Sequence, residues 1–313
     1  MDETHDWINK IKEANLNIDE ANPHYHNKDL QSYLSYYKFE VEKMDEYRCG
    51  KIEGVEKKQF IQFFLKRNPK GTIYLVHGYL DHSGGLSRTI NQLLSNGYQV
   101  IVLDLPGHGF SEGEEGVVAS FDDYLIAVEK GYNVILDKLT PSNVIGLGHS
   151  TGGALLFHAS AEKKVNLAGL ILIAPLYYPF QWNIFKGLLL LSGKVIAQKK
   201  RAFKRNSNDN AYQRFLKSDP LQLKVLKSDW LVALEKWQQE IVNCPAAEAP
   251  VYLLQGTRDT TVSWKENISF YQEKSNQFQV ALFPGARHQL LNERREISYL
   301  VHQRIDAFLK ELS

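Results

Sequence analysis

The sequence predicts an α/β fold: a mostly parallel sheet of about eight strands with helices on both faces and a helical lid insertion. Three observations carry this expectation. Short, continuous apolar runs alternate with amphipathic helical patterns, the rhythm of right-handed βαβ units. That rhythm breaks once, over residues 176–248, where only helical patterns occur. The segment Gly148-His149-Ser150-Thr151-Gly152-Gly153 stands where an apolar run gives way to a helical one.

The elements follow in order. Residues 1–45 read as a polar, helix-leaning extension rich in Asn, Glu, Lys and Tyr, without recognisable chemistry. The first part of the core spans 46–175. Its strands are KQFIQFFL (58–65), TIYLV (72–76), YQVIVLD (98–104), NVIGLG (143–148) and LAGLILIA (167–174). TIYLV ends at His77-Gly78, as a buried strand feeding a loop does. A helix over 83–96 has apolar residues at 86, 90, 93 and 94 and stops at Gly97. Another begins after Ser120, where Asp123 three residues on completes a capping box, and runs to about 139.

The lid, 176–248, opens with the apolar residues Trp182, Phe185, Leu188 and Leu189, expected to line a substrate site. The basic cluster Lys199, Lys200, Arg201, Lys204 and Arg205 follows, then two helices over 210–217 and 220–242. Helices inserted there cover the carboxyl ends of the strands, where open α/β sheets bind ligands. The second part of the core, 249–313, contributes VYLLQ (251–255) and QVALF (279–283).

Composition narrows the classes of function. The chain has 313 residues with 37 Lys+Arg against 36 Asp+Glu, a net charge of +1 that speaks against a dedicated nucleic-acid binder. Its two cysteines, Cys49 and Cys244, make no disulfide framework and no zinc motif. Residues 1–20 are acidic and polar, unlike a signal peptide, and no apolar run reaches the roughly 18 residues of a membrane span. The expectation is a cytoplasmic protein, with peripheral membrane contact through the lid.

The chemistry resides in the loops. A G-x-S-x-G turn between strand and helix holds its serine in a strained conformation at the helix N-terminus, and small flanking residues let the backbones approach. Ser150 is therefore the expected nucleophile. It needs a base and an orienting acid, which this topology supplies downstream. VYLLQ ends in Gly256-Thr257-Arg258-Asp259 and QVALF in Pro284-Gly285-Ala286-Arg287-His288, so Asp259 and His288 are the expected acid and base. His158 and His302 sit within helical patterns, and Asp81 and Asp104 precede the serine. Backbone N–H groups of Tyr79 and Thr151 are the expected oxyanion donors. No metal or organic cofactor is expected. The run His77-Gly78-Tyr79-Leu80-Asp81-His82 lacks a ligand at 79 for a zinc motif. His77, Asp81, His82, His108 and His149 read as loop-shaping residues.

HGYLDHSG (77–84), DLPGHGFSEG (104–113), GHSTGG (148–153), QGTRDTTV (255–262) and GARHQLLNE (285–293) together resemble the α/β-hydrolase superfamily. Within it, the chain is similar to the monoacylglycerol lipase and lysophospholipase L2 group, the serine-aminopeptidase-like hydrolases, over about 46–313. The resemblance implies the triad Ser150, Asp259 and His288, oxyanion donors Tyr79 and Thr151, and a structural role for Glu293. Thr151, where Met or Gln is frequent, and Tyr79, where a small residue is frequent, depart from the group's pattern.

The expected function is hydrolysis of carboxylic esters through an acyl-enzyme, with a single acyl chain as in lysophospholipid or monoacylglycerol. Transfer to an alcohol instead of water stays open. A small-molecule carboxylesterase, an aminopeptidase on the same triad and a non-catalytic binding protein are the alternatives. An exopeptidase needs acidic groups for the substrate's α-ammonium, whereas the lid is apolar and basic.

Overall fold

The computed structural model describes residues 5–182, 198–200 (backbone alone) and 205–312. Ten strands occur among them. Eight, β1 (Glu46–Ile52), β2 (Gln59–Leu65), β3 (Thr72–Val76), β4 (Gln99–Leu103), β5 (Val144–His149), β6 (Gly169–Ile173), β9 (Val251–Gly256) and β10 (Phe278–Phe283), form one sheet. Its order is β1-β2-β4-β3-β5-β6-β9-β10. β2 runs antiparallel to both neighbours and every other pairing is parallel. β1, EYRCGKI, is a strand that sequence reading missed. Its Arg and Lys alternate with buried positions, so it lacks the apolar run that betrays the central strands.

Alternation within the strands divides the core into two layers. Tyr74, Val76, Ile101 and Leu103 face α4 (Phe121–Leu139) and α5 (Thr151–Ala161). Ile73, Leu75, Val100 and Val102 face the opposite layer, with α3 (Ser87–Ser95) and the C-terminal helix 295–311. The capping box at the start of α4 is present, with the Ser120 hydroxyl accepting from Asp122 N–H.

Sequence reading set residues 1–45 apart as a polar extension, but packing draws them into the second layer. α1 (Trp7–Glu13) and α2 (Lys28–Tyr36) bury Trp7, Ile11, Leu30, Tyr33 and Leu34 there, joined by Tyr37 and Phe39. The apolar positions recur at helical spacing and are mostly aromatic, so the segment's polar average conceals a complete packing face.

The cap also differs in detail. β7 (Gln198–Lys200) pairs antiparallel with β8 (Val225–Lys227), where only helices were expected. α6 (Asn210–Ser218) matches expectation, but α7 covers Ser228–Ile241 instead of starting near 220. A turn over 219–222, with Gln222 N–H donating to Asp219 O at 3.4 Å, precedes the extended chain of β8, so no helix starts there. Phe185, Leu188, Leu189, Arg201, Lys204 and the side chains of Lys199 and Lys200 lie outside the described residues. α8 (Trp264–Glu273) and α9 (Arg295–Glu311) complete the chain. Among the described residues, no helix is long and apolar enough to cross a membrane.

Candidate active site

β5 delivers Ser150 to the mouth of the sheet. Ser150 has φ 51° and ψ −115°, a conformation that costs a serine about 1–3 kcal/mol and persists only when its surroundings enforce it. Here they do: Ser150 N–H donates to Ile173 O at 2.9 Å, and its carbonyl accepts from Ala154 N–H and Leu176 N–H, both at 3.1 Å. The turn closes because its flanks lack side chains. A Cβ on Gly148 would lie 2.4 Å from Gly153 N, and one on Gly152 would lie 2.2 Å from Val76 O.

The loops after β9 and β10 meet beside it. His288 Nδ1 and Asp259 Oδ2 lie 2.8 Å apart, both side chains buried. Asp259 Oδ1 accepts from Thr261 N–H at 2.7 Å and Val262 N–H at 3.1 Å, while Gln255 Nε2 donates to Oδ2 at 3.0 Å. Burial alone would raise the Asp259 pKa. The facing His288 and these hydrogen bonds outweigh it and hold the carboxyl below its ordinary range. An ionised Asp259 keeps the imidazole proton on Nδ1 and leaves Nε2 as the acceptor of the ring.

Histidines other than His288 fix the surrounding loops. His77 Nε2 accepts from Leu105 N–H at 2.9 Å, so its proton resides on Nδ1 and is donated to Gly78 O at 2.8 Å. This fixes the peptide that carries Tyr79 N–H. His149 Nε2 donates to His288 O at 3.2 Å. Burial pushes His77, His108 and His149 down to about 3, so each is neutral and free to take these roles. Asp104 binds Ser83 N–H and Phe110 N–H, tying loop to loop and standing apart from His288. Glu293 accepts from Arg287 N–H, Asn208 N–H, Asn208 Nδ2 and Arg294 N–H, joining the His288 loop to the foot of the cap.

Ser150, His288, Tyr79 and Thr151 line one cavity of about 310 Å³. Trp182, Leu216, Trp230 and Leu231 of the cap segment complete its largely apolar wall. Of the four lid residues expected at the substrate, Trp182 is thus brought to the cavity and the others are outside the described residues. Gln289, which sequence reading passed over, also lines it. Its position next to His288 was the available signal. Its buried Oε1 has no hydrogen-bond partner among the described residues. No cluster suited to a metal ion occurs among those residues. The constellation gathers a strained serine, a buried His288–Asp259 pair and the backbone of Tyr79 and Thr151 around an apolar chamber. These are the parts of acyl transfer.

A family model described as serine aminopeptidase, S33, matches residues 67–295. Human monoglyceride lipase is 26% identical over 258 residues, covering 78% of this chain and 83% of the relative. A phospholipase of Bacillus subtilis (strain 168) is 30% identical over 110 residues, 34% of this chain and 41% of the relative. Among solved structures, a soluble variant of the Saccharomyces cerevisiae monoglyceride lipase superposes with a TM-score of 0.71. It has 20% identity and covers 88% of this chain and 100% of that one.

Proposed function

The chain belongs to the serine aminopeptidase, S33, family of the α/β-hydrolase fold, and from that premise we propose that it hydrolyses esters of a single acyl chain, monoacylglycerol before lysophospholipid. The observation that carries the reading is Ser150 at φ 51° beside the His288–Asp259 pair, inside one apolar chamber. Relatives named monoglyceride lipase support the ester class.

His288 takes the Ser150 proton as the hydroxyl attacks the ester carbonyl, and Asp259 balances the imidazolium that forms. Tyr79 and Thr151 N–H groups stabilise the oxyanion. His288 then protonates the leaving alcohol, which must therefore depart on its own side of the chamber. Water, activated by the same imidazole, releases the acyl group. Gln289, next to His288 in the lining of the chamber, is suited to meet a hydroxyl of the departing glycerol. The apolar wall around Trp182 and Trp230 takes the acyl chain. Contact with a lipid surface through the cap belongs to the same proposal.

One observation favours a second reading. Asp81 lines the chamber and could anchor an α-ammonium, as an aminopeptidase requires. A panel of monoacylglycerols, lysophospholipids, p-nitrophenyl esters and aminoacyl p-nitroanilides separates the two. Turnover of monoacylglycerol is expected, and turnover of anilides alone would overturn the ester reading. Failure of a fluorophosphonate to label Ser150 in folded protein would overturn both.

A further inference from the structure

Outside the triad, a second group of buried polar side chains joins three parts of the chain that are far apart in sequence. His82 lies in loop 77–86, which also carries Tyr79. Asp219 follows α6 in the cap, and Tyr37 follows α2 in the N-terminal segment. His82 Nε2 faces Asp219 Oδ2 at 2.9 Å. Tyr37 Oη donates to Asp219 Oδ1 at 2.6 Å, and Leu221 N–H donates to the same oxygen at 3.0 Å. All three side chains are buried, with relative exposures of 3%, 0% and 1% for Tyr37, His82 and Asp219. Gly84 N–H donates to His82 Nδ1 at 3.1 Å, which directs the ring proton on Nε2 at Asp219. The fit is close: a Cβ on Gly84 would lie 2.8 Å from the Tyr37 ring.

A second contact follows three residues later. Gln222 Nε2 donates to Leu80 O. Leu80 has φ 65°, a left-handed conformation that leucine rarely adopts. Its N–H donates to His108 Nε2 at 3.1 Å. The peptides on either side of Leu80 are thus clamped, one by the loop after β4 and the other by the cap. Tyr79 is the adjoining residue. Without Gln222 one of these two clamps is lost, and the left-handed Leu80 and the adjoining Tyr79 are held less firmly.

We infer that Tyr37, Asp219 and Gln222 are positioning residues for the oxyanion loop. The seated cap and the N-terminal helices together hold loop 77–86 in the conformation that aims Tyr79 N–H at the reacting carbonyl. This rests on the serine-hydrolase reading above. It makes the N-terminal helices, which precede the family match at 67–295, part of the catalytic scaffold.

Tyr37→Phe removes one hydroxyl, and Gln222→Met keeps the side chain's length without its amide. Titrating each full-length variant with a fluorophosphonate counts reactive Ser150, so rates are expressed per functional site and unfolded protein drops out. The expected result is kcat per site lowered about three- to tenfold in each variant, with KM within about twofold. An acyl trifluoromethyl ketone forms a tetrahedral adduct that needs the oxyanion donors, and it should inhibit each variant about tenfold more weakly. Unchanged kcat per site in both variants, or ketone inhibition as strong as in the unmodified chain, would overturn the inference. If Ser150 of the unmodified chain cannot be titrated, the hydrolase reading falls instead, so the two failures are distinguishable.

Discussion

Tyr79 and Trp230 stack face to face, ring centroids 3.9 Å apart and planes 10° from parallel. The stack joins the loop of the proposed oxyanion donor to α7 of the cap. Trp230→Ala removes a pair worth about 0.5–1.5 kcal/mol beyond its buried area, and truncating a buried Trp costs about 3–5 kcal/mol in all. Thermal denaturation should show a Tm lower by several degrees. Trp230 also lines the chamber, so KM should rise more for long-chain esters than for acetates.

Replacing the serine separates chemistry from strain. Ser150→Ala should abolish ester turnover, and Asp259→Asn should lower kcat by about 10³- to 10⁴-fold through loss of the imidazole's orientation. Ser150→Gly should be equally inactive yet more stable, because glycine tolerates φ 51° at less cost. A raised Tm beside absent turnover is the expected signature; a Tm at or below that of Ser150→Ala would argue against strain at this position.

Gln289 should decide the alcohol and leave the acyl chain alone. In Gln289→Leu, kcat/KM for a monoacylglycerol should fall about five- to tenfold relative to the methyl ester of the same acid, the worth of one hydrogen bond. Equal losses on both esters would remove Gln289 from glycerol recognition.

Acid should destabilise the fold well before its carboxylates protonate. Burial pushes His77, His108 and His149 down to about 3 and His302 to about 4. Unfolded, each titrates near 6.5. Between these values the unfolded chain binds more protons, so stability is complete above about 6.5 and is lost as pH falls toward 3. At pH 5.5 each residue should cost about 1 kcal/mol. His82 is the exception. Burial lowers its pKa, the Asp219 carboxylate more than offsets this and raises it, and Gly84 N–H on Nδ1 resists a second ring proton. Denaturant melts at pH 7.5 and 5.5 check the sign; equal stability at the two values would contradict it.

Glu293 gathers four donors on two carboxylate oxygens. Glutamine offers one oxygen and turns an NH₂ group toward N–H donors, so Glu293→Gln should cost about 1–3 kcal/mol. Arg287 precedes His288, and kcat should therefore fall together with Tm. An unchanged Tm would mean that the loop reorganises without loss.

What sequence could disclose depended on how local the cause was. The capping box at Ser120 and Asp123, the run TIYLV and the glycines around Ser150 act within a few residues, and each was legible. Tyr37, Asp219 and Gln222 have roles only because the fold brings them to loop 77–86, and no spacing announces that. The polar average of residues 1–45 hid Trp7, Tyr33 and Tyr37, whose helical spacing was the better guide.

The loop bearing His288 hangs from β10, one of the two edge strands of the sheet, where Val280 and Leu282 are 45% and 48% exposed. Asp259 follows the protected neighbour β9, and Ser150 follows β5 deeper inside. His288 therefore depends on an exposed edge strand, the kind of element that opens first. Heat should silence the enzyme by peeling away one edge while its helices still stand, and an ester bound across the chamber would act as a splint on that edge.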